Sequence, residues 1–134
     1  MIEVDSILPV KDAVSSVWFD GVAQGKLLLQ RDAKTGKAQF YPRAHITGAP
    51  DREPEWFEAS GQGTVYSYAV THKAPGNWGA HAPYVIAYVE LAEGPRVMTN
   101  IVDVDPAQIE VGMAVRAVFH AGKDGGAVLR FTAA

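Results

Sequence analysis

The chain has 134 residues, 48% of them hydrophobic, and a formal net charge of −3, which suits one compact core rather than two independent ones. It contains no cysteine, which excludes disulfides, thiolate catalysis and cysteine-ligated metal. Its 12 basic residues are scattered singly among 15 acidic ones, which argues against general nucleic-acid binding, since that affinity needs clustered Lys and Arg.

No apolar run approaches the roughly 20 residues that span a bilayer, and the opening "MIEVDSILPVKD" lacks a basic stretch followed by an apolar one. The expectation is a soluble, cytoplasmic protein with no membrane partner. In "DAVSSVWFDGVAQGK", Val14, Val17, Trp18 and Val22 recur at helical spacing behind Asp12, a good N-cap, and predict a helix over about residues 12–24. Gly25 marks its end, and Gly21 weakens the last turn by up to about 1 kcal/mol relative to alanine. Such a helix either covers a core or offers Trp18 and Phe19 to a partner chain.

Leu27 to Arg31 and Ala38 to Tyr41 read as two short strands joined by "DAKTG", where Gly36 supplies the positive φ that the loop needs. A longer turn, "HITGAPDREPE", follows. The apolar face of this hairpin is thin, so it is marginal unless docked or stapled.

From Gly61 the pattern changes to longer β runs: "GTVYSYAVTH", "YVIAYVEL", "RVMTNIVDV", "MAVRAVFHA" and "GAVLRFTAA". Between the third and fourth, "DPAQIEVG" sets Pro106 behind Asp105 and predicts one helical turn. Five strands with a helical insertion at that place fit an OB-fold, a five-stranded Greek-key barrel, better than an SH3-like barrel or an open meander. The fold class is therefore mainly β. The expected segments are 1–26 with the helix, 27–60 with the hairpin, and 61–134 as the barrel.

OB-fold ligands bind beside the connections between strands one and two and between strands four and five. Here these are "KAPGNWGAHAP", carrying Lys73, Trp78 and His81, and "AGKDGG", carrying Lys123. Lys73 and Trp78 suit a phosphate and a stacked ring; equally, Trp78 packs over the barrel end and Lys73 is solvated. No catalytic residues emerge. The chain lacks a G-x-S-x-G elbow, a phosphate-cradling G-x-x-x-x-G-K-[ST] and H-E-x-x-H, and His45, His72, His81 and His120 are dispersed. Glu90 and Glu93 read as solvated charges at a strand end.

The blocks "FDGVAQGKLLLQR", "QFYPR", "GQGTVYSYAVTHKAP", "APYVIAYVELAEGPRVMTNIVDV" and "IEVGMAVRAVF" occur in an order that resembles the OB-fold family with an N-terminal rubredoxin-like zinc ribbon. Members of that family accompany thiolases and lipid-transfer-protein-like thiolase homologues, and the resemblance runs from Trp18 onward. It implies a small noncatalytic subunit of an acyl-CoA-processing complex. The larger partner would carry out acyl transfer, aldol cleavage or hydration, and acyl-CoA is a candidate ligand. Coenzyme A needs positive donors for its phosphates and a flat apolar surface for its adenine, so Arg43 joins Lys73 and Trp78 as a candidate contact. Trp18, Phe19 and Phe40 are the expected partner contacts.

One departure concerns the metal. By the resemblance, the ribbon's two C-x-x-C pairs would fall at Asp32 and Thr35 and near Ile46 and Ala49. Asp32 and His45 together fall short of a four-coordinate structural zinc site. The expectation is a ribbon without zinc or any other tightly bound cofactor, ordered by apolar packing of Leu27, Leu29, Phe40, Trp56 and Phe57 and by docking on the barrel or a partner. Two other functions fit the barrel: single-stranded nucleic-acid binding, which the acidic balance opposes, and stand-alone acyl-CoA hydrolysis.

Overall fold

A single α-helix, α1 (Ser15–Ala23), opens the regular structure in a computed structural model that describes all 134 residues, Met1–Ala134. It begins three residues after the predicted start because residues 13–14 form a turn. Asp12 still caps that turn: its carboxylate accepts from the N–H groups of Val14 (3.0 Å) and Ser15 (2.7 Å), and its own N–H donates to Ser15 Oγ (2.9 Å). At the other end, Gly25 N–H donates to the Val22 carbonyl and Lys26 N–H to the Gly21 carbonyl. This Schellman pair requires the left-handed backbone of Gly25 (φ 75°). Gly21 does more than weaken the helix, because a Cβ there would lie 2.7 Å from Leu28 Cδ1. The small residue lets the helix sit close against the next strand.

Three strands follow: β1 (Leu28–Arg31), β2 (Ala38–Gln39) and β3 (Glu55–Glu58), in the order β2-β1-β3. The predicted hairpin is present but is only part of the sheet. β3 pairs antiparallel along all of β1, from Leu28 opposite Glu58 to Arg31 opposite Glu55. The sequence reading missed β3 because four residues beside Pro54 carry no alternation long enough to recognise; pairing with β1 creates it. An Arg31–Glu55 ion pair (2.7 Å) and the Arg31 guanidinium over Phe57 (4.7 Å) brace the pair.

The remaining strands are β4 (Gln62–Thr71), β5 (Tyr84–Leu91), β6 (Arg96–Ile101), β7 (Ala114–Ala121) and β8 (Ala127–Ala133). They close into a barrel of order β4-β5-β6-β8-β7, with β4 also pairing β7. A 3-10 turn, Pro106–Gln108, lies between β6 and β7, and Asp105 caps it by accepting from Ala107 N–H (3.0 Å). This is the OB-fold, with its helical insertion between the third and fourth barrel strands. No helix is long and apolar enough to cross a membrane.

Alternate residues of the barrel strands fill one core, and Val22, Leu27 and Leu29 belong to the same cluster as Val65, Val89 and Phe131. Helix and ribbon are therefore packed continuously with the barrel's core. The first residues take part as well: Ile2 and Val4 are buried. Asp5 reaches the β7–β8 turn, its carboxylate accepting from the N–H groups of Lys123 (2.7 Å) and Asp124 (3.4 Å).

Candidate functional site

The four positions at which the resemblance would set zinc ligands meet in space. Asp32, Thr35, Ile46 and Ala49 line one cleft of ≈ 240 Å³ between two tight turns, and Arg52 lies in it with them. In the first turn Gly36 N–H donates to the Asp32 carbonyl and Lys34 N–H to the Asp32 carboxylate (3.0 Å). In the second, Ala49 N–H donates to the Ile46 carbonyl and Ile46 N–H to the Arg52 carbonyl.

The donor set does not fit zinc. Ile46 and Ala49 have no ligand atom, and nowhere in the chain do three His, Cys, Asp or Glu side chains gather in a way that would hold a metal. Both Asp32 oxygens face Arg52 instead: Nη2 at 2.5 Å and Nε at 3.2 Å. Asp32 is 4% exposed, so a guanidinium joins the two turns at the place where the resemblance would set a metal. His45, the other conceivable donor, is exposed, and its carbonyl accepts from Gln39 Nε2 (3.1 Å).

Two glutamines complete the clamp. Buried Gln30 accepts from Arg43 N–H (2.9 Å) and from Gln39 Nε2 (2.9 Å), and donates to the Arg43 carbonyl (2.8 Å); Gln39 Oε1 accepts from Thr47 N–H (2.9 Å). The expectation of order from apolar packing and docking on the barrel is borne out for four of its five residues, and a polar network adds to it. Leu27, Leu29, Phe40 and Phe57 pack in or against the core, and the polar network closes the loop over residues 42–45, which lie outside every strand.

The Arg52 hydrogen bonds hold the Asp32 carboxyl below its ordinary 3.8, with burial opposing. A folded-state pKa depressed in this way gives stability that is complete above the unfolded value and lost as pH falls through the folded one. The amides of residues 28–58 should therefore stay protected from hydrogen exchange at neutral and mildly acidic pH and lose protection only below about pH 4. Loss beginning near the histidine range would assign the transition to another group.

The predicted ligand residues do not form one site. Trp78 and His81 sit on the 3-10 segment Gly76–His81 within the β4–β5 connection, and both are half-buried beside Tyr84 at the barrel end. Trp78 and Tyr84 pack with centroids 5.1 Å apart and ring planes tilted by 45°. Lys73 is exposed next to Ala74, which lines a groove of ≈ 310 Å³ with Pro75, Trp78, Tyr84, Ile86 and Met98. Arg43 is exposed on the ribbon and its backbone is spent on Gln30. Lys123 is held by Asp5, so the connection between the last two strands is occupied by the chain's own N-terminal segment. Neither lines a cavity beside Trp78.

The expected partner contacts are integrated into the fold first. Trp18 and Phe40 pack against the core, their rings 5.8 Å apart, and Phe19 meets Trp18 edge-on at 4.8 Å. All three line a cavity of ≈ 440 Å³ that also takes in Tyr41 and reaches Met98. Met98 is 52% and Tyr41 50% exposed, and Met98 lines the Trp78 groove as well. An apolar band therefore runs from ribbon and helix across Met98 to Trp78. The sequence reading missed Tyr41, Tyr84 and Met98; the outward phase of Met98, between buried Val97 and Thr99, was the available signal. The two glutamates read as solvated have partners: Glu90 pairs with Arg96 (3.0 Å), and half-buried Glu93 accepts from Ser60 N–H (2.9 Å).

Comparison with known proteins is consistent across both parts of the chain. The C-terminal OB-fold domain of ChsH2 matches residues 56–120, and the rubredoxin-like zinc ribbon domain of ChsH2 matches residues 19–45. A DUF35 domain-containing scaffold protein of Methanocaldococcus jannaschii is 43% identical over 89 residues, 65% of this chain and 63% of that protein. The 3-oxo-4,17-pregnadiene-20-carboxyl-CoA hydratase alpha subunit of Mycobacterium tuberculosis is 35% identical over 111 residues, 83% of this chain but 35% of that protein. The chain thus spans less than two thirds of each of these relatives. A solved structure described as an Ltp2-ChsH2(DUF35) aldolase superposes with a TM-score of 0.84 at 32% identity, covering 94% of this chain and 98% of that one.

Proposed function

Because the chain belongs to the ChsH2/DUF35 family, in which an OB-fold follows a rubredoxin-like ribbon, we propose that it is a noncatalytic accessory subunit of an enzyme in acyl-CoA metabolism. The partner in this reading is a thiolase or lipid-transfer-protein-like enzyme that performs acyl transfer, aldol cleavage or hydration, and acyl-CoA is the ligand. One observation carries it: the apolar band that Met98 makes continuous between the Phe40–Tyr41 end and the Trp78 groove. Exposed aromatic residues and methionine are enriched where proteins meet. Relatives named as a scaffold protein and as a hydratase alpha subunit, and the fold shared with a chain of an aldolase, support the same direction.

The test is purification of the full chain from its native host with mass-spectrometric identification of what accompanies it. A thiolase or lipid-transfer-protein-like enzyme in stoichiometric amount is expected, and paired Tyr41→Ala and Met98→Ala changes should weaken its retention about tenfold or more. Trp78→Ala should reduce acyl-CoA binding with the complex intact. Turnover of acyl-CoA by the isolated, homogeneous chain would overturn the noncatalytic reading.

A further inference from the structure

Only two charged residues are buried in this fold, Asp32 and Arg130, and they are treated differently. Asp32 has the Arg52 guanidinium. Arg130, on β8 and 3% exposed, enters none of the four ion pairs. Its contacts are the His120 ring, Nη1 to Nδ1 at 2.7 Å, and the Ile2 carbonyl, 3.5 Å from Nη2. These use two of the five guanidinium N–H groups.

Neither contact supplies negative charge. With a guanidinium donating to Nδ1, the imidazole is the acceptor and therefore neutral; burial, and then the Arg130 charge, hold His120 below its ordinary 6.5, with the Asp103 charge opposing. A buried charge with no counter-ion is costly, and a cost of that kind is retained where something else brings the opposite charge.

Arg130 lines a cavity of ≈ 250 Å³ at the barrel end, shared with Trp78, His81, Tyr84, Asn100 and Asp103. The Asn100 amide spends one of its two N–H groups on the Val85 carbonyl (2.9 Å). Asp103, the one carboxylate on the wall, is exposed and is not paired with the guanidinium. The arrangement is a positive charge with N–H groups to spare beside a tilted aromatic pair, in a space smaller than most drug-sized pockets.

We propose that this cavity binds an oxyanion, a carboxylate or phosphate monoester, on a small ligand whose apolar part rests against Trp78 and Tyr84, with Arg130 as the charge that receives it. Guanidinium geometry matches either group in a two-point contact. The site stands independently of the partner reading: it needs neither a second protein nor an acyl-CoA ester.

The experiment is an NMR titration of the full chain with acetate and with inorganic phosphate, each against chloride at constant ionic strength, following Arg130 Nε–Hε and the Trp78 indole N–H. A saturable shift of both signals is expected with at least one probe, and the probe that acts decides between carboxylate and phosphate. The same probe should raise the melting temperature of the wild-type protein. Arg130→Met, which keeps an unbranched apolar stem without the charge, should bind about 10- to 100-fold more weakly. Absence of saturable shifts with both probes in the wild-type chain would overturn the proposal, and so would equal affinity in Arg130→Met. The wild-type titration decides alone if that variant does not fold.

Discussion

Replacing Phe131 with alanine should destabilise the protein by about 3–5 kcal/mol, as measured by chemical denaturation. Phe131 is 0% exposed and is the largest fully buried side chain. Its position makes it more than filling. β8 lies between β6 and β7, and Phe131 faces Ala117 on one side and Ile101 on the other. On the β6–β8 side the barrel has that one parallel residue pair, the Val102 N–H donating to the Phe131 carbonyl (2.8 Å), and a long contact from the Thr99 hydroxyl to the Leu129 carbonyl (3.4 Å). Backbone pairing there is too sparse to hold two strands together, so packing around the ring must do it. Truncation opens a cavity at the weakest part of the wall, and neighbours tied into other ladders cannot collapse to fill it. A matched change at exposed Val111, to alanine, should stay within about 0.5 kcal/mol. A loss under about 1 kcal/mol for Phe131→Ala would show that the barrel is not closed by this contact.

The second large effect is expected at the ribbon. Arg52→Met removes the one side chain that bonds both Asp32 oxygens and leaves a carboxylate enclosed between two turns without its cation. Removing one partner of an enclosed pair is worse than removing both. Arg52→Met should therefore expose residues 28–58 to hydrogen exchange while the barrel strands stay protected, and Asp32→Asn added to it should restore part of the protection. Equal protection in wild type and Arg52→Met would mean that the two turns do not need the ion pair. The converse change is a sharper trial of the same geometry. Asp32→Cys, Thr35→Cys, Ile46→Cys and Ala49→Cys, combined with Arg52→Ala, place four thiolates around the cleft that these positions share. That variant should retain one equivalent of zinc through gel filtration, by elemental analysis, whereas the natural chain should retain none. Tight zinc in the natural chain would remove the ion pair from its assigned role.

Much of this was legible before any coordinates. Alternation in "YVIAYVEL" and "RVMTNIVDV" places Val85, Ala87, Val89, Val97 and Ile101 inward, and all five are buried. Asp12, Gly25 and Asp105 announce their turns because caps act within four residues of chain. The ribbon turns are readable for the same reason, and with them the absence of a ligand set. The candidate site was less legible. Trp78 and His81 stand out in a glycine-rich connection, but their grouping with Tyr84 and Arg130 depends on which barrel strands are neighbours. Arg43 and Lys123 look equally available in one dimension; in three, the ribbon turns one away and Asp5 holds the other by its backbone.

What the sequence by itself determined is therefore local: which stretches alternate, where turns must fall, and that no thiolate is present. What only the tertiary structure decided is pairing across distance. Asp32 finds Arg52 20 residues on, Asp5 finds Lys123 118 residues on, and Arg130 is left buried with no carboxylate. The physical reason is one of range. Alternation and capping are set by neighbours a few residues away, while the partner of a charge is set by chain closure, which no single segment encodes.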